Sequence, residues 1–231
     1  MGKTILVVGF GPGISNAVAE KFGSSGFSVG LVARSDERLA AGVKALRAKG
    51  IDAAAFSADA GDPTSIREAV RKARGAGGPL TVLHWNAYGG GEAADLVTAD
   101  VAALHGIFDV AVVGLLAAVQ EALPDLVKAK DGAVLVTNGA FGENSPQIDQ
   151  YAVVAKAMGL ALGNAAKHKL VGLLAQRLKS DGVYVGEVMV AGIVKGTRWD
   201  SGSATIEAST IANKFWDLYQ ARGEVRARID S

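Results

Sequence analysis

The sequence predicts an α/β fold: a doubly wound parallel sheet with helices on both faces, in a single domain over residues 1–231. Three observations carry that expectation. Short β-branched and aliphatic runs alternate with helix-period patterns along the whole chain. No shift of composition marks a linker, and no stretch repeats. The first apolar run breaks into a glycine-rich turn that opens directly into an amphipathic pattern.

That first unit is Ile5 to Val8, the turn Gly9 to Gly13, and a helix pattern with apolar Ile14, Val18, Ala19 and Phe22. In such a turn Gly9 can take a backbone geometry closed to other residues, and Gly13 carries no side chain to keep a phosphate away from backbone N–H groups. The helix N-terminus behind it favours negative charge. A plain glycine-rich turn is the alternative; the motif's place on the first strand, with a second strand at the expected distance, argues against it.

Phe27 to Ala33 reads as the second strand and ends at Arg34 and Ser35. Asp36 to Lys49 carries apolar Leu39, Val43 and Leu46 on a surface helix stopped by Gly50. Ala53 to Ala58 is the third strand, followed by Asp59, Ala60 and Gly61; Asp62 then caps a helix with Pro63 at its first position. Leu80 to Trp85 is the fourth strand, running into Asn86, Ala87, Tyr88 and the glycines Gly89 to Gly91. Val101 to Leu126 is a long helix with Pro124 near its end. Ala133 to Thr137 is the fifth strand, closed by the loop Asn138 to Pro146.

Tyr151 to Lys179 reads as nearly continuous helix, Val183 to Val190 as the sixth strand, and the tail as a loop followed by a packing helix around Ile211, Phe215, Trp216 and Tyr219. Arg222, Arg226 and Arg228 read as a solvated tail, and Lys167 and Lys169 as a solvated helix face. Ligands of such sheets bind outside the carboxyl ends of the strands, so the loops after strands are the candidate site.

Composition narrows the function. The chain is 49% hydrophobic and 20% charged, with a formal net charge of +1, which gives no footprint for nucleic acid or an anionic membrane surface. There is no cysteine, and His84, His105 and His168 lack ligand spacing, so no metal site is expected. His84 and His105 have apolar neighbours and read as packed residues. The start shows no signal-peptide layout and no apolar run approaches the ~20 residues of a spanning helix, so a cytoplasmic protein is expected.

Taken together, the strand-end loops from about Thr4 to about Thr197 resemble the short-chain dehydrogenase/reductase family, whose nucleotide-binding fold is Rossmann-like. The family's Gly-x-x-x-Gly-x-Gly loop is matched by Gly9 and Gly13, with Ile14 opening the helix and Ser15 where the last glycine belongs. Its acid near the adenine matches Asp59, with Ala60 beside it, and its Asn-Ala-Gly matches Asn86 and Ala87, with Tyr88 at the glycine. Thr197 falls near the position that contacts the cofactor's amide, and Trp199 and Asp200 fall where the family builds its substrate lid. Arg34, beside Ser35, favours NADP(H) over NAD(H), because an arginine there can pair with the 2′-phosphate where an acid would bond the ribose hydroxyls; a solvated arginine partnered by Asp36 or Glu37 is the alternative.

The family's tyrosine, lysine, serine and asparagine are harder to match. Asp109 to Gly114 aligns Ala111 with the asparagine, and the loop after the fifth strand aligns Gly139, or Asn138, with the serine. Counting back from Leu178 and Gly182 puts Leu160 at the tyrosine and Asn164 at the lysine. A second register takes Tyr151, 13 residues after Asn138, with Lys156 following. That pair is five apart rather than four, about 140° around a helix instead of about 40°, so it requires the helix to start after Tyr151 or to bulge.

Two functions remain open. One is an NADP(H)-dependent oxidoreductase moving hydride between nicotinamide and a small carbonyl or alcohol, with Tyr151, Lys156 and Asn138 as the catalytic candidates. The other is a degenerate nucleotide-binding relative acting as sensor or subunit partner. The two long helices are apolar on more than one face, so a homo-oligomer, dimer or tetramer, is expected.

Overall fold

The computed structural model describes residues 2–89 and 93–231; Gly90 and Gly91 of the loop after the fourth strand lie outside the described residues. Seven strands form one parallel sheet in the order β3-β2-β1-β4-β5-β6-β7. They are β1 (Lys3–Val8), β2 (Phe27–Ala33), β3 (Ala53–Ser57), β4 (Leu80–Trp85), β5 (Ala133–Gly139), β6 (Tyr184–Ala191) and β7 (Arg226–Asp230). The strand order reverses between β1 and β4, and the crevice at their carboxyl ends is where such a sheet takes a ligand.

One face of the sheet is covered by α1 (Ile14–Ser24), α2 (Asp36–Ala48) and α8 (Ala208–Ala221), the other by α3 (Pro63–Gly77), α5 (Leu115–Lys128) and α7 (Met158–Leu178). Strand residues alternate between the two layers: Ile5 and Val7 pack on the first, Leu6 and Val8 on the second. Both faces are buried, so the strands read as continuous apolar runs. Phe22, Phe27, Trp216 and Tyr219 meet edge-on or tilted, with centroids 5.1–6.2 Å apart, tying α8 to α1.

Asp62 caps α3 through Thr64 N–H and Pro63 opens it. A short helix α4 (Ala103–Phe108) runs through a π-helical turn, Asp109–Gly114, into α5. The widened turn sits where Gly114 lets α5 meet the loop after β3: a Cβ there would lie 1.9 Å from the Ala60 carbonyl oxygen.

Several expectations need correction. The helix expected over 151–179 is broken: α6 (Pro146–Val154) stops, Lys156 takes a left-handed φ of 51°, and α7 restarts at Met158. The cause lies at the start of α7, where Gly159 and Gly163 bring the helix onto Ala93 and Ile107; Cβ atoms there would meet them at 2.7–2.8 Å, and Gly159 N–H bonds the Ala93 carbonyl. The arginine tail is in part a strand, β7, because its alternation of charged and apolar residues suits an edge with one buried face, filled by Ala227 and Ile229. Lys167 is 3% exposed rather than solvated, since α7 turns it toward the sheet, and His105 is exposed on α4 while His84 is buried. The unbroken helix Ala103–Lys128 is long and apolar enough to cross a membrane by length and composition, which the sequence reading did not anticipate; it lays Leu115, Ala118, Val119, Ala122 and Leu126 in the core under the sheet.

Candidate functional site

The site is built first from the turn after β1. Gly9 has φ 83°, and a Cβ on it would lie 2.5 Å from Ala87 N, so β1 and β4 approach closely at their carboxyl ends. The turn hangs on β2: Gly9 N–H and Phe10 N–H both donate to the Val32 carbonyl, at 3.0 and 2.9 Å. Asn86 N–H donates to the Val8 carbonyl at 2.8 Å, and its side-chain amide lies 3.4 Å from the Gly9 carbonyl.

Ser15 stabilises the loop from inside: Gly11 N–H donates to its hydroxyl oxygen at 2.9 Å, and the hydroxyl donates to the Gly11 carbonyl at 3.0 Å. Ser15 is buried and so substitutes for the missing glycine by closing the loop. Gly13, at φ 88°, precedes α1 with no side-chain cap, which leaves the first N–H groups of the helix for an anion. Ile14 is half-buried against the α1 layer. A Cβ on Gly13 would lie 2.7 Å from Thr197 Cγ2, so the loop after β6 closes on the same turn, and the Thr197 hydroxyl donates to the Val194 carbonyl at 2.8 Å.

Arg34 is exposed two residues beyond Val32, and Ser35 caps α2 by accepting from Arg38 N–H at 3.2 Å. Arg38, in the first turn of α2, reaches over the turn after β1, its Nη1 3.8 Å from a Cβ built on Gly11. The sequence reading missed it, although its place in the first turn of the helix that follows β2 was the available signal. Asp59 turns its carboxylate onto Gly61 N–H at 2.9 Å, while its own N–H donates to Ser65 Oγ. Glycine cradles, an uncapped helix start and two arginines fit a dinucleotide phosphate seat.

The end of β5 is arranged differently. Asn138 is buried, donating to Glu187 Oε1 at 2.7 Å and to the Asn164 carbonyl at 3.0 Å. A Cβ on Gly139 would meet Asn164 Nδ2 at 2.6 Å, and Ala111 packs 3.7 Å from one built on Gly163. Ala111, Gly139 and Asn164 therefore converge at one corner, which carries no ionisable group from those positions. Tyr151 lies elsewhere: on α6, 63% exposed, its ring stacked on Phe141 at 5.7 Å. Lys156 is exposed in the turn that ends α6.

Behind the corner sits a buried polar cluster unforeseen from sequence. Glu187, with no exposure, binds Asn138, His168 Nδ1 at 2.7 Å and Arg226 Nε at 3.4 Å. Burial lowers Lys167 to about 8 against the opposing pull of Glu187.

A match to the short chain dehydrogenase family covers residues 3–204. The chain belongs to the short-chain dehydrogenase/reductase family. The dehydrogenase/reductase chain is 27% identical, over 165 residues and 69% of its length, to the 3-oxoacyl-acyl-carrier-protein reductase FabG of Staphylococcus aureus, and the match spans 66% of that relative, just under two thirds. It is similar to a metagenomic short-chain oxidoreductase solved with NADP, with TM-score 0.80, 25% identity and coverage of 99% of this chain and 96% of that one. L-sorbose reductase of Gluconobacter frateurii, solved with NADPH and L-sorbose, shares the fold with TM-score 0.86 at 19% identity, covering 99% and 95%.

Proposed function

We propose that this member of an oxidoreductase family binds NADP(H) in preference to NAD(H) and reduces a small carbonyl compound or oxidises the matching alcohol. The observation that carries the reading is the phosphate seat: Gly9 and Gly13 at positive φ, each without room for a Cβ, with Arg34 and Arg38 on the α2 side. Gly9, Gly13 and Ile14 would hold the pyrophosphate, Arg34, Ser35 and Arg38 the 2′-phosphate, Asp59 and Ala60 the adenine side, and Asn86, Ala87 and Thr197 the nicotinamide side. When bound, that cofactor supplies a hydride.

In the reduction direction the carbonyl oxygen needs a proton as its carbon takes hydride. The Tyr151 phenol donates that proton and regains one from solvent, to which its ring is open. Asn138 and Lys156 complete the candidate set: Asn138 is buried at the end of β5 against the Asn164 carbonyl and Glu187, and Lys156 stands beyond the end of the short helix that carries Tyr151. NADPH oxidation over a panel of small ketones and aldehydes is the assay. Turnover that Tyr151→Phe reduces at least a hundredfold supports the assignment, and unchanged turnover removes Tyr151 from it. The corner of Ala111, Gly139 and Asn164 favours a second reading, nucleotide binding without turnover, which predicts NADPH affinity with no oxidation across the panel.

The protein works as a homo-oligomer in this reading. Support comes from apolar side chains left exposed on the long helices, Val113 and Val127 on one and Leu162 and Leu173 on the other. Light scattering at micromolar concentration should give a multiple of the 23.6 kDa chain mass, and a monomer mass would refute it.

A further inference from the structure

The loop after β6 holds a cation outside the residues assigned above to the nucleotide. Arg198 follows Thr197, the residue packed on Gly13, and its guanidinium carbon lies 4.5 Å from the Trp199 ring centroid and 5.2 Å from that of Tyr88. Tyr88 belongs to the opposite wall of the crevice, directly after Asn86 and Ala87. One guanidinium thus bridges the loops after β4 and β6 between two aromatic rings.

The acids nearest in sequence are engaged elsewhere. Asp200 accepts from the N–H groups of Gly196, Gly202 and Ala204, at 3.0, 2.8 and 3.4 Å, and Glu207 takes Lys195 at 2.5 Å. Among the described residues, Arg198 forms no ion pair. Aromatic rings beside a guanidinium restrict its orientation without consuming its N–H donors. Those donors form a planar fork that matches a carboxylate two bonds at a time.

Resting on the carbonyl-substrate reading above, we infer that Arg198, held between Tyr88 and Trp199, binds the carboxylate of an oxo acid. The substrate class is then a small carbonyl compound carrying an anionic group, with its charged end at the loop after β6 and its carbonyl toward β4 and β5. The cofactor's phosphates are the other anion that a cation beside Thr197 could serve.

The test uses 2-oxobutanoate, acetoacetate and 4-oxopentanoate, each beside its uncharged methyl ester, titrated into the protein with and without saturating NADPH. Intrinsic tryptophan fluorescence reads binding, because Trp199 lies against the arginine. At least one acid is expected to bind tenfold or more tightly than its ester, Arg198→Gln to remove that difference, and NADPH affinity to stay within twofold. Equal binding of every acid and ester in the wild type overturns the inference, as does a preference that survives Arg198→Gln. A tenfold fall in NADPH affinity with the carboxylate preference intact overturns it in favour of a cofactor contact. Failure to bind NADPH would count against the nucleotide reading alone, since the oxo-acid titration on the free protein still decides for Arg198.

Discussion

His168 Nδ1 lies 2.7 Å from the carboxylate of Glu187, an acid in the middle of strand β6 with no exposure to solvent. The carboxylate is satisfied on its other side by Asn138 at 2.7 Å, so one charge ties β5, β6 and α7 together. Removing one partner of such a buried set leaves the others unpaired, and Glu187→Ala should destabilise the protein by about 3–5 kcal/mol. Arg226, half-exposed and 3.4 Å away, should cost under about 1 kcal/mol when changed to Ala. Urea unfolding of both variants measures the contrast; equal losses would mean that the cluster is not organised around Glu187.

The two cradle glycines share a positive φ and differ in what a side chain would meet. A methyl group at Gly9 meets backbone, Ala87 N at 2.5 Å, in a left-handed conformation, so Gly9→Ala should cost at least about 2 kcal/mol of stability. At Gly13 the obstacle is the Thr197 methyl, at 2.7 Å, whose rotamer is held by the hydroxyl's bond to the Val194 carbonyl. Gly13→Ala, at φ 88° and ψ −128°, forces a side chain into a backbone region that glycine alone occupies freely, so it should also cost at least about 2 kcal/mol of stability and lose nucleotide affinity tenfold or more. Thermal unfolding set beside a nucleotide titration separates the two effects.

His84 gives the fold an acid limit. It is fully buried against Phe215, with Nε2 3.1 Å from Thr137 Oγ1, and burial pushes its pKa from 6.5 down to about 3. The folded state keeps the ring neutral while the unfolded chain takes up a proton below pH 6.5. Its effect on stability is therefore absent above that pH and unfavourable below, growing as pH falls from 6.5 toward 3. Lowering pH from 6.5 to 5 should cost about 2 kcal/mol from this group. His84→Met should lack that part of the fall in urea-unfolding experiments at the two pH values.

Lys167 acts at the alkaline end. Burial lowers its pKa from 10.5 to about 8, so between those values the unfolded chain holds a proton that the folded chain has released. Stability should rise with pH across that window. In Lys167→Met the rise should vanish; a rise of the same size in the variant would assign it to another group.

The sheet was legible because strands buried on both faces leave long apolar runs, and Phe27–Ala33 and Leu80–Trp85 have the bounds their sequence patterns predict. The phosphate turn was legible because Gly9 and Gly13 answer to backbone sterics, which glycine alone satisfies. The break at Lys156 was not, since it follows from the docking of Gly159 on Ala93, a contact 66 residues away along the chain that helix periodicity does not register. Strand β7 was hidden by its arginines, whose partners Glu187 and Glu143 lie on distant elements. Asn138 and Lys167 are buried polar residues on apolar elements, and the partner that satisfies Asn138, Glu187, is an acid that no local pattern marks.

The central claim is that the turn after β1, with Arg34 and Arg38 beside it, seats NADP(H) in preference to NAD(H). Titration of the purified protein with NADPH and, separately, NADH, followed by reduced-nicotinamide fluorescence, tests it most directly. NADPH should bind at least tenfold more tightly, a difference of about 1.4 kcal/mol. Equal affinities, tighter binding of NADH, or binding of neither would contradict it.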